Sequence, residues 1–94
     1  MRNPAVAEWV QTCWGCPDQY EGRLADGRWF YFRYRYGWAT LGLGADLGEA
    51  IGDRNRAGMD VGDNLRGVFG SDEERDEVFD QLLAWRLGGA RDGA

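Results

Sequence analysis

The segment from Gln19 to Gly44 constrains the fold most, because three strand-like stretches follow one another with very short connections. The connections are Ala25-Asp26-Gly27 and Tyr36-Gly37, and both end in Gly, which accepts the positive φ of a tight hairpin turn. Loops this short join only antiparallel neighbours. The sequence therefore predicts a three-stranded antiparallel meander built from Gln19–Leu24, Arg28–Arg35 and Trp38–Leu43.

Side-chain alternation predicts the register of this meander. A three-residue first loop and a two-residue second loop place nearly all of the unambiguous apolar residues on one face, whereas a slip of one residue would put Glu21 or Arg23 among the phenylalanines. The predicted core face consists of Tyr20, Gly22, Leu24, Phe30, Phe32, Tyr34, Ala39, Leu41 and Leu43.

The segment before the meander predicts a short helix. Asn3 is a favourable N-cap, and Pro4 suits the first helical position. An apolar stripe follows at helical spacing, and Gly15 and Pro17 would end the helix. A strand is the competing interpretation, since Trp, Val, Thr and Cys all tolerate one. The stripe consists of Val6, Trp9, Val10 and Cys13.

Two capping patterns predict helices after the meander. Asp46 and Glu49 would begin a short helix that ends by Ala57-Gly58, with a loop running on to Gly70. Ser71 and Glu74 would begin the C-terminal helix, which Gly88-Gly89 would stop. Its apolar stripe, which should pack on the core face, is Val78, Phe79, Leu82, Leu83 and Leu87, with Trp85 nearby.

The chain of 94 residues is too short to divide its apolar residues between two cores, so one α+β domain is expected. It has no apolar run near the roughly 20 residues that a membrane-spanning helix needs, and residues 1–4 lack the apolar stretch of a secretory signal. We expect a cytoplasmic protein. The predicted segments are 1–18 (helix and Cys-x-x-Cys), 19–44 (meander), 45–70 (short helix and loop), 71–89 (C-terminal helix) and 90–94 (frayed tail).

The charges argue against binding to a nucleic-acid duplex. The net charge is −5, and all 11 basic residues are Arg, with neither Lys nor His present. A duplex binder needs a broad basic footprint to displace counterions. Here the basic residues cluster on the meander, which suits one small anionic ligand better.

The face of the meander opposite the core is the candidate site. Its aromatic rings offer flat surfaces, and its guanidinium groups fork onto phosphate or carboxylate, a combination that holds a nucleobase and its phosphate. Two alternatives stay open. The arginines could simply stack on the rings to shield the sheet, or the face could bind a protein. The candidate residues are Arg23, Trp29, Tyr31, Arg33, Arg35 and Trp38.

Cys13 and Cys16 have the spacing of redox and zinc sites, but one pair without His cannot complete a zinc site. Two reduced cysteines near the core are expected, with a four-cysteine site shared between two protomers, or redox chemistry, as alternatives. No cofactor is expected. Without His or Lys, a nucleophile would need a carboxylate as its base, so a carboxylate-dependent enzyme remains an alternative function.

The two hairpins, with Tyr20-Glu21-Gly22-Arg23, Asp26-Gly27-Arg28, Phe30-Tyr31-Phe32-Arg33-Tyr34-Arg35 and Leu41-Gly42-Leu43-Gly44, resemble small uncharacterised proteins of actinobacteria and their phages. The resemblance covers about a quarter of the chain. It implies a phage accessory role, for which inhibitors of host defence are a recurrent class.

Taken together, these patterns predict a non-enzymatic protein that captures a small anionic, nucleotide-like ligand, in a groove that a second protomer could complete. The alternative partner is a host protein bound through the same face, and the expected location is the host cytoplasm if the gene belongs to a phage.

Overall fold

Five strands form one antiparallel sheet in which the spatial order is the chain order. The computed structural model describes residues 1–15, 17–63 and 66–88. No helix within these ranges is long and apolar enough to cross a membrane. The elements are β1 (Val6–Cys13), β2 (Asp18–Leu24), β3 (Trp29–Arg35), β4 (Trp38–Gly44), α1 (Leu47–Ile51), β5 (Ala57–Asp60) and α2 (Asp72–Gly88).

The predicted meander is confirmed as the middle of this sheet, in the predicted register. Phe32 lies opposite Tyr20 on one side and Leu41 on the other. The first turn places Gly27 at φ 94°, and the second places Tyr36 and Gly37 at φ 54° and 71°. The alternation predicted from sequence therefore fixes which side chains face the core.

The C-terminal helix covers the core face, as predicted. Its cap is the Ser71 hydroxyl, which accepts a hydrogen bond from the Glu74 N–H at 3.1 Å. The Phe79 ring lies 5.1 Å from Phe30 and 5.3 Å from Phe32 between centroids. The prediction was wrong for Leu87, which is exposed at the end of the helix. Residue 89 and the predicted tail 90–94 lie outside the described residues.

The predicted N-terminal helix is wrong, because its residues form β1. Two bulges explain the helical spacing. In the first bulge, β1 has one extra residue between Val6 and Glu8, whose partners on β2 are consecutive. The second bulge adds one residue in the same way between Gln11 and Cys13. Each extra residue shifts the alternation by one, so Val6 and Trp9 share a face although they are three apart. A bulged strand thus imitates the period of a helix.

The count of three strands is wrong at the other edge too. The short helix predicted to end by Ala57-Gly58 ends at Ile51, and Ala57 begins β5, which pairs with β4. Asp46 does cap α1, since its carboxylate accepts from the Glu49 N–H at 2.8 Å. The segment predicted as a loop therefore supplies a fifth strand.

Asp53 anchors the connection between α1 and β5 to the C-terminal helix. Arg86 Nε donates to Asp53 Oδ2 at 2.7 Å, and the Leu43 N–H donates to the same oxygen at 2.9 Å. Burial raises the pKa of Asp53, but the hydrogen bonds from Arg86 and from backbone N–H groups outweigh it and hold this pKa below the usual value. The anion is therefore stabilised in the folded state.

Replacing this carboxylate should produce a pH-dependent loss of stability. Asp53→Asn should lower the free energy of unfolding at pH 7 by about 2 kcal/mol, since it removes a hydrogen-bonded charge pair. Because the pKa of Asp53 is lower in the folded protein than in the unfolded chain, its carboxylate stabilises the fold at pH values above the unfolded pKa of about 3.9. This stabilisation is lost as the pH falls through the folded pKa. The difference in the free energy of unfolding between wild type and variant, measured by urea unfolding, should therefore become smaller below about pH 4.

The matched control is Asp26→Asn, which removes an ion pair with Arg28 at the surface of the β2–β3 turn. It should change stability little at any pH, because solvent screens exposed pairs. A gap between wild type and Asp53→Asn that is equally large at pH 7 and pH 3 would contradict the assigned role.

Candidate functional site

A groove of about 530 Å³ lies on the sheet face opposite α2. Outward side chains of β3 and β4 form its floor, while Ala50 and Ile51 of α1 form part of its wall. The volume falls within the range of small-molecule sites. The charged and aromatic residues that line it are Arg33, Arg35, Arg56, Tyr31, Tyr36 and Trp38.

Two glycines of β4 create the wall of this groove. Gly42 and Gly44 project on the outer face, and a Cβ on Gly42 would overlap the carbonyl oxygen of Ala50. A Cβ on Gly44 would collide with the backbone between Glu49 and Ala50. Because these positions lack side chains, α1 packs directly on the sheet. It covers the end of the face near Gly44 and leaves the end near Trp38 open.

The arginines of the groove differ from most of the described arginines elsewhere in the protein. Among the described residues, Arg33, Arg35 and Arg56 form no ion pair, and Arg33 Nε is buried without a hydrogen-bond partner. A buried polar group without a partner costs free energy and calls for an explanation. Arginines that do pair with carboxylates are Arg2, Arg23, Arg28, Arg66, Arg75 and Arg86.

The Trp38 ring is fixed by the strand beside it while much of it stays accessible. A Cβ on Gly58, which lies on β5 opposite Thr40, would overlap the six-membered ring of Trp38. The glycine therefore lets the indole lie against the backbone of β5. Trp38 still exposes 45% of its surface. A held but exposed indole is a ready stacking surface for a planar ligand group.

Tyr36 occupies a strained position at the rim. Its φ of 54° is in the left-handed region, which costs a non-Gly residue about 1 kcal/mol. Arg35 holds its side chain, since Arg35 Nη2 donates to the Tyr36 hydroxyl at 2.8 Å and the guanidinium carbon lies 4.5 Å from the ring centroid. Asn at this position would suit the turn better. Strain kept at a groove rim is typical of functional sites.

Tyr31, which lines the groove, is held in place by a hydrogen bond to a side chain of β2. Its hydroxyl donates to Gln19 Oε1 at 2.9 Å. Burial raises the pKa of Tyr31, so the hydroxyl remains a neutral donor at physiological pH.

The structure divides the candidate residues into two groups. Tyr31, Arg33, Arg35 and Trp38 come together in the groove. The other two are not among its lining residues. Arg23 Nε donates to Glu8 at 2.8 Å, and its guanidinium carbon lies 5.5 Å from the Trp29 ring. The shielding arrangement weighed as an alternative is therefore present at this end of the face.

Sequence reasoning missed Arg56 and Tyr36. Tyr36 was assigned to a turn, where only Gly37 was expected to need a positive φ. Arg56 reaches the groove because the chain folds back over β4 through α1 before it enters β5. The alternation of Gly42 and Gly44 along a strand was the available signal, since it indicates close approach of another segment.

Cys13 is the last residue of β1 and does not lie at the end of a helix. Cys13 is half-buried, and Cys16 lies outside the described residues. Within the described ranges, no group of three or more Cys, Asp or Glu side chains is arranged to hold a metal ion. The state of the pair stays a prediction.

Comparisons with protein-family models, with curated proteins and with solved structures each found no match to this chain.

Changing Tyr36 to Asn tests whether the rim is strained. Tyr36→Asn should raise the free energy of unfolding by about 0.5 kcal/mol, because relief of about 1 kcal/mol of backbone strain exceeds the loss of the exposed Arg35 contact. Gly37→Ala is the control and should lower it by about 1 kcal/mol, since φ is positive there as well. Thermal and urea unfolding measure both. If Tyr36→Asn lowers the free energy of unfolding by more than about 1 kcal/mol, the inference that the Tyr36 backbone is strained is wrong.

Proposed function

We propose that this protein is a non-enzymatic binding protein that captures a small anionic, nucleotide-like ligand in the groove between β3, β4 and α1. The observation that carries the proposal is the group of guanidinium ions of Arg33, Arg35 and Arg56, which form no ion pair among the described residues and share one groove with Trp38. Phosphate oxygens would supply the negative charge that these arginines lack among the described residues, and the indole would stack on a base.

The protein's overall charge strengthens this interpretation. A net charge of −5 disfavours long polyanions, while a local basic groove still attracts a small anion. Among the described lining residues there is no carboxylate. A carboxylate-dependent reaction would therefore lack its base at this groove, which favours binding over catalysis.

A protein partner is the second candidate function. Tyr36 and Trp38 expose 58% and 45% of their surfaces beside Arg35, and Tyr, Trp and Arg are the residues most enriched in interface hot spots. An inhibitor or adaptor that binds a host protein would use this same end of the face. The resemblance of the hairpins to actinobacterial and phage proteins is compatible with capture of a nucleotide and with binding of a host protein. In both cases the protein would act in a bacterial cytoplasm, as an inhibitor of host defence.

A thermal-shift screen with mono-, di- and cyclic nucleotides tests the first proposal. A ligand at 100 times its Kd stabilises the folded state by about 2.7 kcal/mol, which in a domain of this size raises Tm by roughly 10 °C or more. Arg33→Ala and Trp38→Ala should each weaken binding ten- to a hundredfold, as expected for the loss of one charge-assisted or stacking contact.

Two controls match these substitutions in chemistry. Arg28→Ala removes an arginine that pairs with Asp26 in the β2–β3 turn, and Trp14→Ala removes an exposed indole from the β1–β2 connection. Neither should change the ligand shift. If no nucleotide shifts wild type and the groove variants instead release a protein from a pull-down, the partner function replaces this one. If the variants only lower stability and nothing binds, the face is shielding and the proposal fails.

A further inference from the structure

A second basic cavity adjoins the groove. It has a volume of about 250 Å³ and shares Trp38, Thr40 and Arg56 with the groove, while Arg54 and Gly58 belong to its own lining. The groove takes its other arginines from β3, whereas this cavity takes Arg54 from the segment that enters β5. Because β4 lies between β3 and β5, the two cavities flank the outward side chains of β4.

The second cavity has unpaired charge of its own. Arg54 forms no ion pair among the described residues, and the contact of Arg56 with the Asp53 carbonyl oxygen is long, at 3.3 Å. Asp60 is opposite Trp38 on β5, but it lines neither cavity. Both of the cavities that Trp38 lines therefore contain arginines, without a carboxylate among the described lining residues.

We propose that the ligand is a nucleotide with two separate phosphate groups, as in a nucleoside 3′,5′-bisphosphate, whose base stacks on Trp38. One phosphate lies with Arg33 and Arg35, and the other lies with Arg54. This inference rests on the proposed function and specifies its ligand.

The spacing of the sheet favours separate phosphates over a diphosphate. Neighbouring strands are about 4.8 Å apart, so backbone positions on β3 and β5 are roughly 10 Å apart. Arg54 reaches its cavity from the segment that precedes β5, on the far side of β4 from Arg33 and Arg35. The phosphates of a diphosphate share one bridging oxygen and lie much closer than this. Phosphates at the 3′ and 5′ positions have the ribose between them, which carries the base toward Trp38.

Calorimetric titration of the full chain with AMP, ADP and adenosine 3′,5′-bisphosphate separates these cases. ADP and the bisphosphate carry similar charge, so binding that follows charge alone would not distinguish them. We expect the bisphosphate to bind at least tenfold more tightly than ADP. Equal affinity for the two would overturn the two-phosphate ligand.

Substitutions test the second cavity directly. Arg54→Ala should weaken the bisphosphate about tenfold more than it weakens AMP, while Arg33→Ala should weaken all three nucleotides. Arg28→Ala, outside both cavities, should change none of them. If AMP and ADP bind and depend on Arg33, but Arg54→Ala affects every nucleotide equally or not at all, the two-phosphate inference fails while the proposed function stands. If no nucleotide binds, both fail.

Discussion

The strict alternation along β3 is the constraint on which the rest of the molecule depends. Phe30 and Phe32 are fully buried against Phe79 of α2, and Tyr34 is fully buried against Phe69. The residues between them must therefore point the other way. A register slip of one residue would bury Arg33 and Arg35 in the core, at a cost of several kcal/mol for each desolvated ion. The hydrophobic core thus determines where Arg33 and Arg35 lie.

The distribution of ion pairs gives the outer face its character. Away from the groove, most of the described arginines lie beside carboxylates, as in the contact of 2.6 Å between Arg66 and Glu74. In the groove, the guanidinium groups of Arg33, Arg35 and Arg56 form no ion pair with a carboxylate among the described residues. Their mutual repulsion opposes folding. Tyr36 adds backbone strain at the same place. An anion bound there would relieve the repulsion and stabilise the folded protein. A binding site would therefore explain why this cost in stability is present.

The sequence predicted the meander, its register and the C-terminal helix, because short Gly-ended loops and the Ser71 capping box are local signals with few alternatives. It could not predict β1, since bulges gave that strand the spacing of a helix. β5 was missed because a strand of four residues that contains Gly58 takes its structure from pairing with β4. Arg56 joins the site through the return of the chain over Gly42. The glycines of β4 indicate that some segment approaches closely, but they do not indicate which segment it is.

The most direct test of an anion-binding groove is NMR observation of the arginine Nε–H groups during titration with AMP. Among the described residues, no protein atom accepts from Arg33 Nε, whereas the Nε–H groups of Arg28 and Arg86 already donate to Asp26 and Asp53. Binding predicts a saturable shift of the Arg33 Nε–H signal, while the signals of Arg28 and Arg86 stay in place. An unmoved Arg33 signal at millimolar AMP, or equal shifts at all three arginines, would contradict the account.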